Sequence, residues 1–578
     1  MAGKRIIQAL LIAGLLGFHP LVGTTNAQEK KEPPPRPAAI DEKDESASSR
    51  EAKLPKIDLP EFVITGREFI ELPLTSKLDQ SGAPGYLLDA SRLTVLGEKN
   101  KDSLSGESEK PGASLSRNVD NFDGRLSLGY GRFNSAYGEG WFGRKYEEGD
   151  FNLHGRYRAH KGYVDHADAT AGSLDASGGL YLPRKFALFR GSRLTGQVSY
   201  EGEDFRFFGS AIPDLKRTVN NFQVGIGLLS GLNSFISHES SVSFQRLTLR
   251  DRDRSREDNL SFAFRASKEA AGFQFRGEFF YVADFLDQSN PGNDPHYLRT
   301  TAGFRKLLFD KFDLSAGLSF YFFRNSDTGF KSKFYPNVAL QYYLNRQLTA
   351  FAQFEPRVER NSLSYSVSEN RYIGNDISIN HQDVFVNFSG GVQFDILNRG
   401  TGRVYLKYQR INNFPLYDDP TWNTYVDWVP LPFIEWDLFY GGTTRFVSIN
   451  GEVVIDLTNA DRLSGTLRVL SSHNSSTEEQ APYVAPVFFM ARYSHHFPIG
   501  LSTQVVAQLV GERRIGIRVW STTRLNSYFL LDASAEYSVR KNITIFLRLN
   551  NIFDEHYSIW NRYRELPFSI LGGVSVKW

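Results

Sequence analysis

The sequence predicts an all-β protein, a transmembrane antiparallel β-barrel of about 22 strands. Three observations lead to this fold class. Segments of about ten residues alternate apolar and polar side chains, their connections are alternately short and long, and no apolar run of about 18 residues follows the N-terminus. Phe, Tyr and Trp make up 14% of the 578 residues, and the chain contains no cysteine. Disulfides, thiolate metal sites and cysteine nucleophiles are therefore excluded.

The alternation is clearest in three segments of the chain. In residues 312–322 every even-numbered side chain is apolar, with Asp313, Ser315 and Ser319 among those between them. Segments 193–200 and 403–409 alternate in the same way. A period of two places each set on one face of a strand. A soluble sandwich alternates too, but many segments of roughly 9 to 13 residues suit tilted strands that cross a bilayer.

The overall balance of charge and hydropathy agrees with a barrel that has a lipid face and a wet lumen. The mean hydropathy is −0.36 and Lys plus Arg number 67 against 65 for Asp plus Glu. This near-neutral balance gives no basis for nucleic-acid binding. The spacing of the polar residues identifies no catalytic site, so we expect no enzyme activity and no cofactor or metal.

The N-terminus predicts export. Lys4 and Arg5 precede an apolar stretch, and small residues end at Ala27, which is typical of a signal peptide over 1–27. Residues 28–60 form a Pro-rich, charged linker that we expect to be a disordered periplasmic segment. Residues 61–119 form a short N-terminal segment that could occlude the lumen, and the barrel covers 120–578.

The strand count and the connections were read from the same pattern. A first count gives 23 segments, and an even number follows if both ends of the barrel lie in the periplasm. The segment 433–457, split at Gly441 and Gly442, is the expected error, and joining it restores 22. Short turns are expected near 147–149, 344–346 and 539–542. Long outside loops are expected at 202–218, 284–296, 357–382, 413–432, 471–483, 511–526 and 550–567.

The C-terminal third carries a family pattern. The runs 527–532 and 542–554, followed by Tyr557, and the first strand, 124–131, resemble those of TonB-dependent receptors. The last residues resemble the family's signal for the barrel assembly machinery, whose matching positions are Gly573, Val576 and Trp578. The resemblance covers about 122–578. It implies a barrel in the outer membrane of a Gram-negative bacterium that binds and takes up a solute.

The chain departs from the family before the barrel. No plug-domain signature occurs in residues 28–119, so the barrel is expected to be plugless, or to be occluded by 61–119 or by another protein. One stretch resembles a TonB box, an extended peptide that adds a strand to the periplasmic TonB protein. Its residues are Glu61, Phe62, Val63, Ile64, Thr65 and Gly66.

Three further sets of residues were considered as sites. An aromatic, acidic loop could bind a small molecule or an oligosaccharide through Trp422, Tyr425, Asp427 and Trp428. The alternating charges of 250–258 are interpreted as a solvated strand end that could touch lipopolysaccharide phosphates. His495 and His496 are adjacent, so they point to opposite faces of a strand and cannot chelate one metal there.

Two functions remain open from the sequence. The first is a receptor-like barrel for binding and uptake of a solute, coupled to TonB. The alternative is a non-transport outer-membrane scaffold or surface-binding barrel whose N-terminal tail recruits a periplasmic partner. Membrane lipid and lipopolysaccharide surround the barrel in either case.

Overall fold

The computed structural model describes residues 124–146, 148–182, 191–230, 236–288, 292–309, 311–345, 347–396, 399–418, 435–515 and 524–578. The predicted signal peptide, the linker, the TonB-box-like stretch and residues 419–434 lie outside these ranges. Within them, no helix is both long enough and apolar enough to cross a membrane.

The described residues form 29 strands and one short helix. The strands are β1 Gly124–Gly131, β2 Ser135–Lys145, β3 Gly149–His160, β4 Ala169–Tyr181, β5 Arg193–Arg206, β6 Lys216–Leu229, β7 Ser237–Arg250, β8 Arg254–Ala270, β9 Phe273–Asp287, β10 His296–Leu308, β11 Phe312–Arg324, β12 Phe330–Tyr343, β13 Leu348–Phe354, β14 Arg357–Glu359, β15 Gln382–Ile396, β16 Gly400–Asn412, β17 Leu416–Asp418, β18 Asp437–Phe439, β19 Thr443–Asp456, β20 Asp461–Asn474, β21 Val487–His496, β22 Leu501–Val510, β23 Arg513–Arg514, β24 Arg524–Leu525, β25 Tyr528–Arg540, β26 Ile543–Asn550, β27 Ser558–Trp560, β28 Tyr563–Arg564 and β29 Ser569–Lys577. The helix, α1, covers Leu363–Glu369.

Twenty-two antiparallel staves close into a barrel, as the sequence predicts. β13 and β14 both pair with β15 and form one stave, interrupted where Pro356 has no N–H to donate. β17–β18, β23–β24 and β27–β28 are separate hairpins. β1 pairs with β29 from Arg125–Lys577 to Gly131–Leu571, so no free sheet edge remains at the closure.

The closing strand explains one of the glycines at the C-terminus. A Cβ on Gly573 would lie 2.3 Å from the carbonyl oxygen of Leu128 and 2.3 Å from Cζ of Phe546. Only glycine allows β29 to approach β1 and β26 this closely. Val576 and Trp578 are both exposed on the outer face.

The two faces of the staves confirm the alternation read from the sequence. In β11, Leu318, Phe320 and Phe322 are exposed, whereas Ser315 and Ser319 are buried in the interior. Ser–Ser and Thr–Ser hydrogen bonds join inward-facing positions of neighbouring staves, as between Ser243 and Ser261 at 2.6 Å. The barrel therefore presents apolar side chains outward and polar side chains to its lumen.

The two ends of the barrel differ in the length of their connections. At the end that holds the start of β1 and the end of β29, the turns are short apart from the connections 182–192 and 230–236. The resemblance makes this the periplasmic end. At the other end the chain runs between staves over 207–215, 360–381, 413–442, 475–486, 511–527 and 551–568. The other long loops lie where they are expected, but 202–218 and 284–296 are shortened to 207–215 and 288–295, because β5 continues to Arg206 and β9 to Asp287.

Two details differ from the sequence prediction. The break at Gly441 and Gly442 is real, but the strand before it, β18, belongs to a separate hairpin that is not part of the barrel sheet, which is why the count of 22 holds. The long loop after β14 also contains the helix α1, whereas the sequence pattern shows little sign of a helix.

Candidate functional site

The candidate site lies where several loops pack together at the extracellular end, and its central segment is the loop 360–381, which we name the cap loop. It contacts the inward-facing residues Glu203 of β5, Arg217 of β6, Glu257 of β8 and Asp284 of β9. Because these side chains belong to the lumen face of the wall, the cap loop lies on the lumen side rather than outside the barrel.

The helix α1 is fixed to the wall through its N-terminus. Ser362 is its N-cap, and its hydroxyl accepts a hydrogen bond from the Tyr365 amide at 3.0 Å. The Glu257 carboxylate accepts from the Leu363 and Ser364 amides at 2.8 and 2.9 Å. These contacts satisfy three N–H groups that a helix start leaves without partners, and they place a negative charge at the positive end of the helix dipole.

Arg217 is the most connected side chain between the wall and the cap loop, and it is fully buried. Its Nε donates to Asp251 at 2.6 Å, and its Nη2 donates to Glu435 at 2.8 Å and to Asn375 Oδ1 at 3.1 Å. Its Nη1 donates to the backbone carbonyls of Arg371 and Ile373. All five N–H donors of this guanidinium therefore have acceptors, three of them on the cap loop.

Two further ion pairs join the cap loop to the wall. Arg371 Nη1 donates to Glu203 Oε1 at 2.6 Å, and both side chains are buried. Arg360, at the start of the cap loop, donates to the fully buried Asp284 through Nε, at 3.2 Å, and Nη2. Buried pairs of this kind are costly to break one partner at a time, because the remaining charge stays uncompensated.

His381 ends the cap loop in a neutral form. Its Nδ1 accepts a hydrogen bond from the Asn361 amide at 3.2 Å, so the proton lies on Nε2, which donates to the His296 carbonyl at 3.2 Å. Burial lowers the pKa of His381 to about 3, and the Arg360 guanidinium acts in the same direction. A second proton on Nδ1 would oppose the Asn361 N–H, so protonation of His381 disfavours closure of the loop.

An aromatic cluster completes the closure from the other side. Tyr372 of the cap loop stacks on Tyr563 at 3.6 Å between ring centroids, and Trp436 lies 5.4 Å from Tyr563. Trp560 packs against Tyr483 at 4.6 Å. The same buried cluster includes residues of β5 to β7 and of β21, β22 and β25, so it spans the lumen between two parts of the wall.

The charged run 250–258 is only partly solvated, which corrects the sequence interpretation. Asp251, Ser255 and Glu257 point inward and are buried, and two of them hold Arg217 and α1. Even-numbered Arg250 and Arg254 are exposed. The physical reason is the period of a strand, which sends alternate charges to opposite faces. Contact of the outward arginines with lipopolysaccharide phosphates stays a prediction.

The other predicted site residues fall into three groups. Residues 61–66 and the set Trp422, Tyr425, Asp427 and Trp428 lie outside the described residues. Gly573, Val576 and Trp578 lie in or next to β29, but their role in barrel assembly stays a prediction. His495 and His496 have different partners, Asp461 at 2.5 Å and Ser502 at 2.8 Å, as expected from their opposite directions.

Sequence reasoning did not identify the cap loop as a closure. Leu363, Val367, Ile373, Ile377 and Ile379 are all buried, although they belong to a loop that was expected outside the barrel. Large apolar residues recurring through a long loop were the available signal, because a solvated loop has no need of them.

The chain was compared with known proteins. No family model matches the sequence, and no curated protein matches it. Solved structures do match. The FrpB iron transporter from Neisseria meningitidis is 11% identical with a TM-score of 0.62, over 80% of this chain and 82% of that chain. The copper transporter OprC is 11% identical with a TM-score of 0.60, over 79% and 80%. The siderophore receptor PiuA from Acinetobacter baumannii is 12% identical with a TM-score of 0.58, over 79% and 82%.

The closed barrel with its apolar outer face and polar lumen is a large outer-membrane β-barrel. More particularly, the chain has the 22-stranded barrel fold of the TonB-dependent receptors. At this level of identity the similarity concerns the fold.

Proposed function

We propose that the protein binds a solute at the cell surface and takes it up through its lumen, with the cap loop as the gate at the extracellular end. One observation carries this proposal. The cap loop is joined to the wall by ion pairs, hydrogen bonds and side-chain packing, and it can leave the wall without breaking any strand pairing of the barrel. The similar barrels FrpB, OprC and PiuA are described as an iron transporter, a copper transporter and a siderophore receptor, which supports a solute-uptake role rather than catalysis.

The barrel allows the gate to be removed cleanly. Glu359 and Gln382, at the two ends of the cap loop, are register partners in β14 and β15. Residues 360–381 can therefore be replaced by the two-residue turn Asn-Gly, which suits a tight hairpin. Because occlusion of the lumen by residues 61–119 is one of the alternatives left open by the sequence, the replacement is made both in the full chain and in a variant without 28–119.

The measurement is the KCl conductance of single proteins in planar bilayers. We expect the variant that lacks both the cap loop and 28–119 to form a steady, wide pore, and the variant that lacks only 28–119 to conduct at least tenfold less. If the two conduct equally, the cap loop is not a gate. If the variant that lacks both the cap loop and 28–119 conducts no more than wild type, the lumen is not a transport pathway, and the scaffold function is favoured.

A matched control locks the gate instead of removing it. The chain has no cysteine, so a pair of cysteines is unique. Gln245 Nε2 of β7 donates to Ser364 Oγ of α1 at 2.9 Å, and Gln245→Cys with Ser364→Cys can be bridged by a short bifunctional thiol reagent. The control pair Ser243→Cys with Ser261→Cys lies within the wall. Both cysteine pairs are introduced into the variant without 28–119. Bridging the first pair, between β7 and α1, should suppress any channel openings, whereas bridging the control pair should not.

We also propose that residues 61–66 bind the periplasmic TonB protein by adding a strand to its sheet, which would supply energy for uptake. A synthetic peptide of residues 58–70 should bind the periplasmic domain of TonB in calorimetry. Replacing Phe62 and Ile64 by Ala should weaken binding at least tenfold, because both side chains lie on the same face of an extended strand. Unchanged binding would contradict a TonB box here.

A further inference from the structure

The cap loop inserts two consecutive side chains, Arg371 and Tyr372, into a recess formed by other parts of the protein. The guanidinium of Arg371 lies over the Phe205 ring, with Cζ 4.0 Å from the ring centroid. Its edge donates to the Glu203 carboxylate at 2.6 Å. A carboxylate beside an aromatic face is the arrangement that holds a flat cation through a charge-assisted hydrogen bond and a cation–π contact together.

Tyr372 extends the same pattern with an aromatic ring. It lies parallel to Tyr563 at 3.6 Å, and the Phe205 ring meets it edge-on at 5.5 Å and 90°. Phe205 belongs to β5 and Tyr563 to β28, so neither wall of the recess is part of the cap loop. The recess therefore contains a flat cation, the Arg371 guanidinium, next to a flat ring, that of Tyr372. Both belong to the cap loop, the segment that we propose to move.

The charges around the recess favour a cation. The carboxyl groups of Glu203 and Glu565 lie beside it, and Arg371 and Arg513 are the arginines that act electrostatically on Glu565. The neighbouring set contains one guanidinium, Arg217, and two carboxyl groups, Asp251 and Glu435. When the cap loop withdraws Arg371, the positive charge of its guanidinium leaves the recess, and Glu203 loses this partner. A buried carboxylate left in this way strongly favours a new cationic partner.

From these contacts we infer that Arg371 and Tyr372 occupy the place of the transported solute, and that the solute is an organic cation with a flat, delocalised positive charge next to an aromatic or planar group. The inference rests on the proposed function, because it requires the cap loop to open. In this arrangement the solute and the cap loop compete for Glu203 and for the faces of Phe205 and Tyr563.

The test uses the full chain and N-ethylguanidinium, which matches the end of an arginine side chain. In the Arg371→Ala variant this probe should bind by calorimetry at least tenfold more tightly than to wild type, because the variant leaves its place empty. The neutral isostere butyramide and the anion propionate should not bind. Adding Glu203→Gln to Arg371→Ala should reduce the affinity for the probe at least tenfold.

Two controls keep the outcome interpretable. Arg371→Lys retains a cation in the recess and should bind the probe no better than wild type. Folding of each variant is checked by circular dichroism and by comparing its conductance in planar bilayers with that of wild type. Equal affinity of wild type and Arg371→Ala for the probe, or tight binding of propionate, would overturn the inference. The gate itself is tested separately by replacing the cap loop, so a failed probe with a functional gate would reject only the class of solute.

Discussion

The cap loop meets the barrel wall in two regions of different chemistry. Along β5 to β9 the contacts are the buried ion pairs that Arg360 and Arg371 form with the wall, together with the hydrogen bonds that Arg217 of the wall donates to oxygens of the cap loop. On the side of β21 to β25 the contacts are aromatic and apolar and are made through the β27–β28 hairpin, as where Tyr372 stacks on Tyr563 at 3.6 Å. The two regions hold the same closure but respond differently to a displacement.

The difference indicates how the closure would open. An ion pair in a buried setting needs its partner in one place, and a shift of the loop leaves several charges uncompensated at once. Aromatic side chains bury much area with few directional demands, so they can slide and repack. The region of β5 to β9 therefore acts as the latch, and the aromatic region as the side about which the loop can move.

The largest effect is expected from breaking the latch at Arg217. Arg217→Met removes the shared partner of Asp251 and Glu435 and leaves both carboxylates without it. We expect the free energy of cap-loop opening to fall by about 3 to 5 kcal/mol. The measurement is the hydrogen-exchange protection of the α1 amides, compared with that of the staves, whose protection should not change.

Two controls sharpen this comparison. Arg246 pairs with Asp258 at 2.6 Å on the outer face, where the arginine is well exposed, so Arg246→Met should cost less than about 1 kcal/mol. Combining Arg217→Met with Asp251→Asn and Glu435→Gln should recover most of the lost protection, since no uncompensated charge remains. If Arg246→Met loosened α1 as much as Arg217→Met, the latch would not lie in the buried pairs.

The barrel was predictable from the sequence because its signal is local. A period of two recurs in every stave, and the first strand was recognised with its bounds, Gly124–Gly131. In the last strand, Ser575 is buried while Val574 and Val576 are exposed, which the alternation alone predicts.

The cap loop was not predictable because its contacts are distant in sequence. Arg217 bonds to the Arg371 carbonyl across 154 positions and to Glu435 across 218. No spacing in a single sequence announces such a pair. Strand parity offers a partial signal, since Glu257 shares the inward face with Asn259, and an inward acid at the mouth of a barrel needs a partner.

A smaller effect on the free energy of cap-loop closure is expected when the pH is lowered. It separates proton uptake by His381 from the other contacts of the latch. The pKa of His381 falls from 6.5 to about 3 in the closed loop. Its contribution to closure is therefore complete above about pH 6.5 and is lost as the pH falls toward 3. Between about pH 7 and pH 5 the closed loop should lose about 2 kcal/mol through this residue, because only the open form takes up the proton.

Carboxyl groups around the cap loop oppose this trend, so the prediction concerns a difference between variants. Burial raises the pKa of Glu435 and raises that of Glu565 to about 7. A raised carboxyl pKa favours closure at low pH and disfavours it as the pH rises through the folded value. The His381→Asn variant lacks the titrating imidazole but keeps these carboxyl groups. The measurement is the free energy of opening of α1, taken from amide exchange and corrected for intrinsic exchange at each pH. On going from pH 7 to pH 5, this free energy should fall by about 2 kcal/mol more in wild type than in His381→Asn. A difference between the two proteins that stays constant over this range would show that His381 remains uncharged in the open loop as well, and the latch would then consist of the arginine pairs alone.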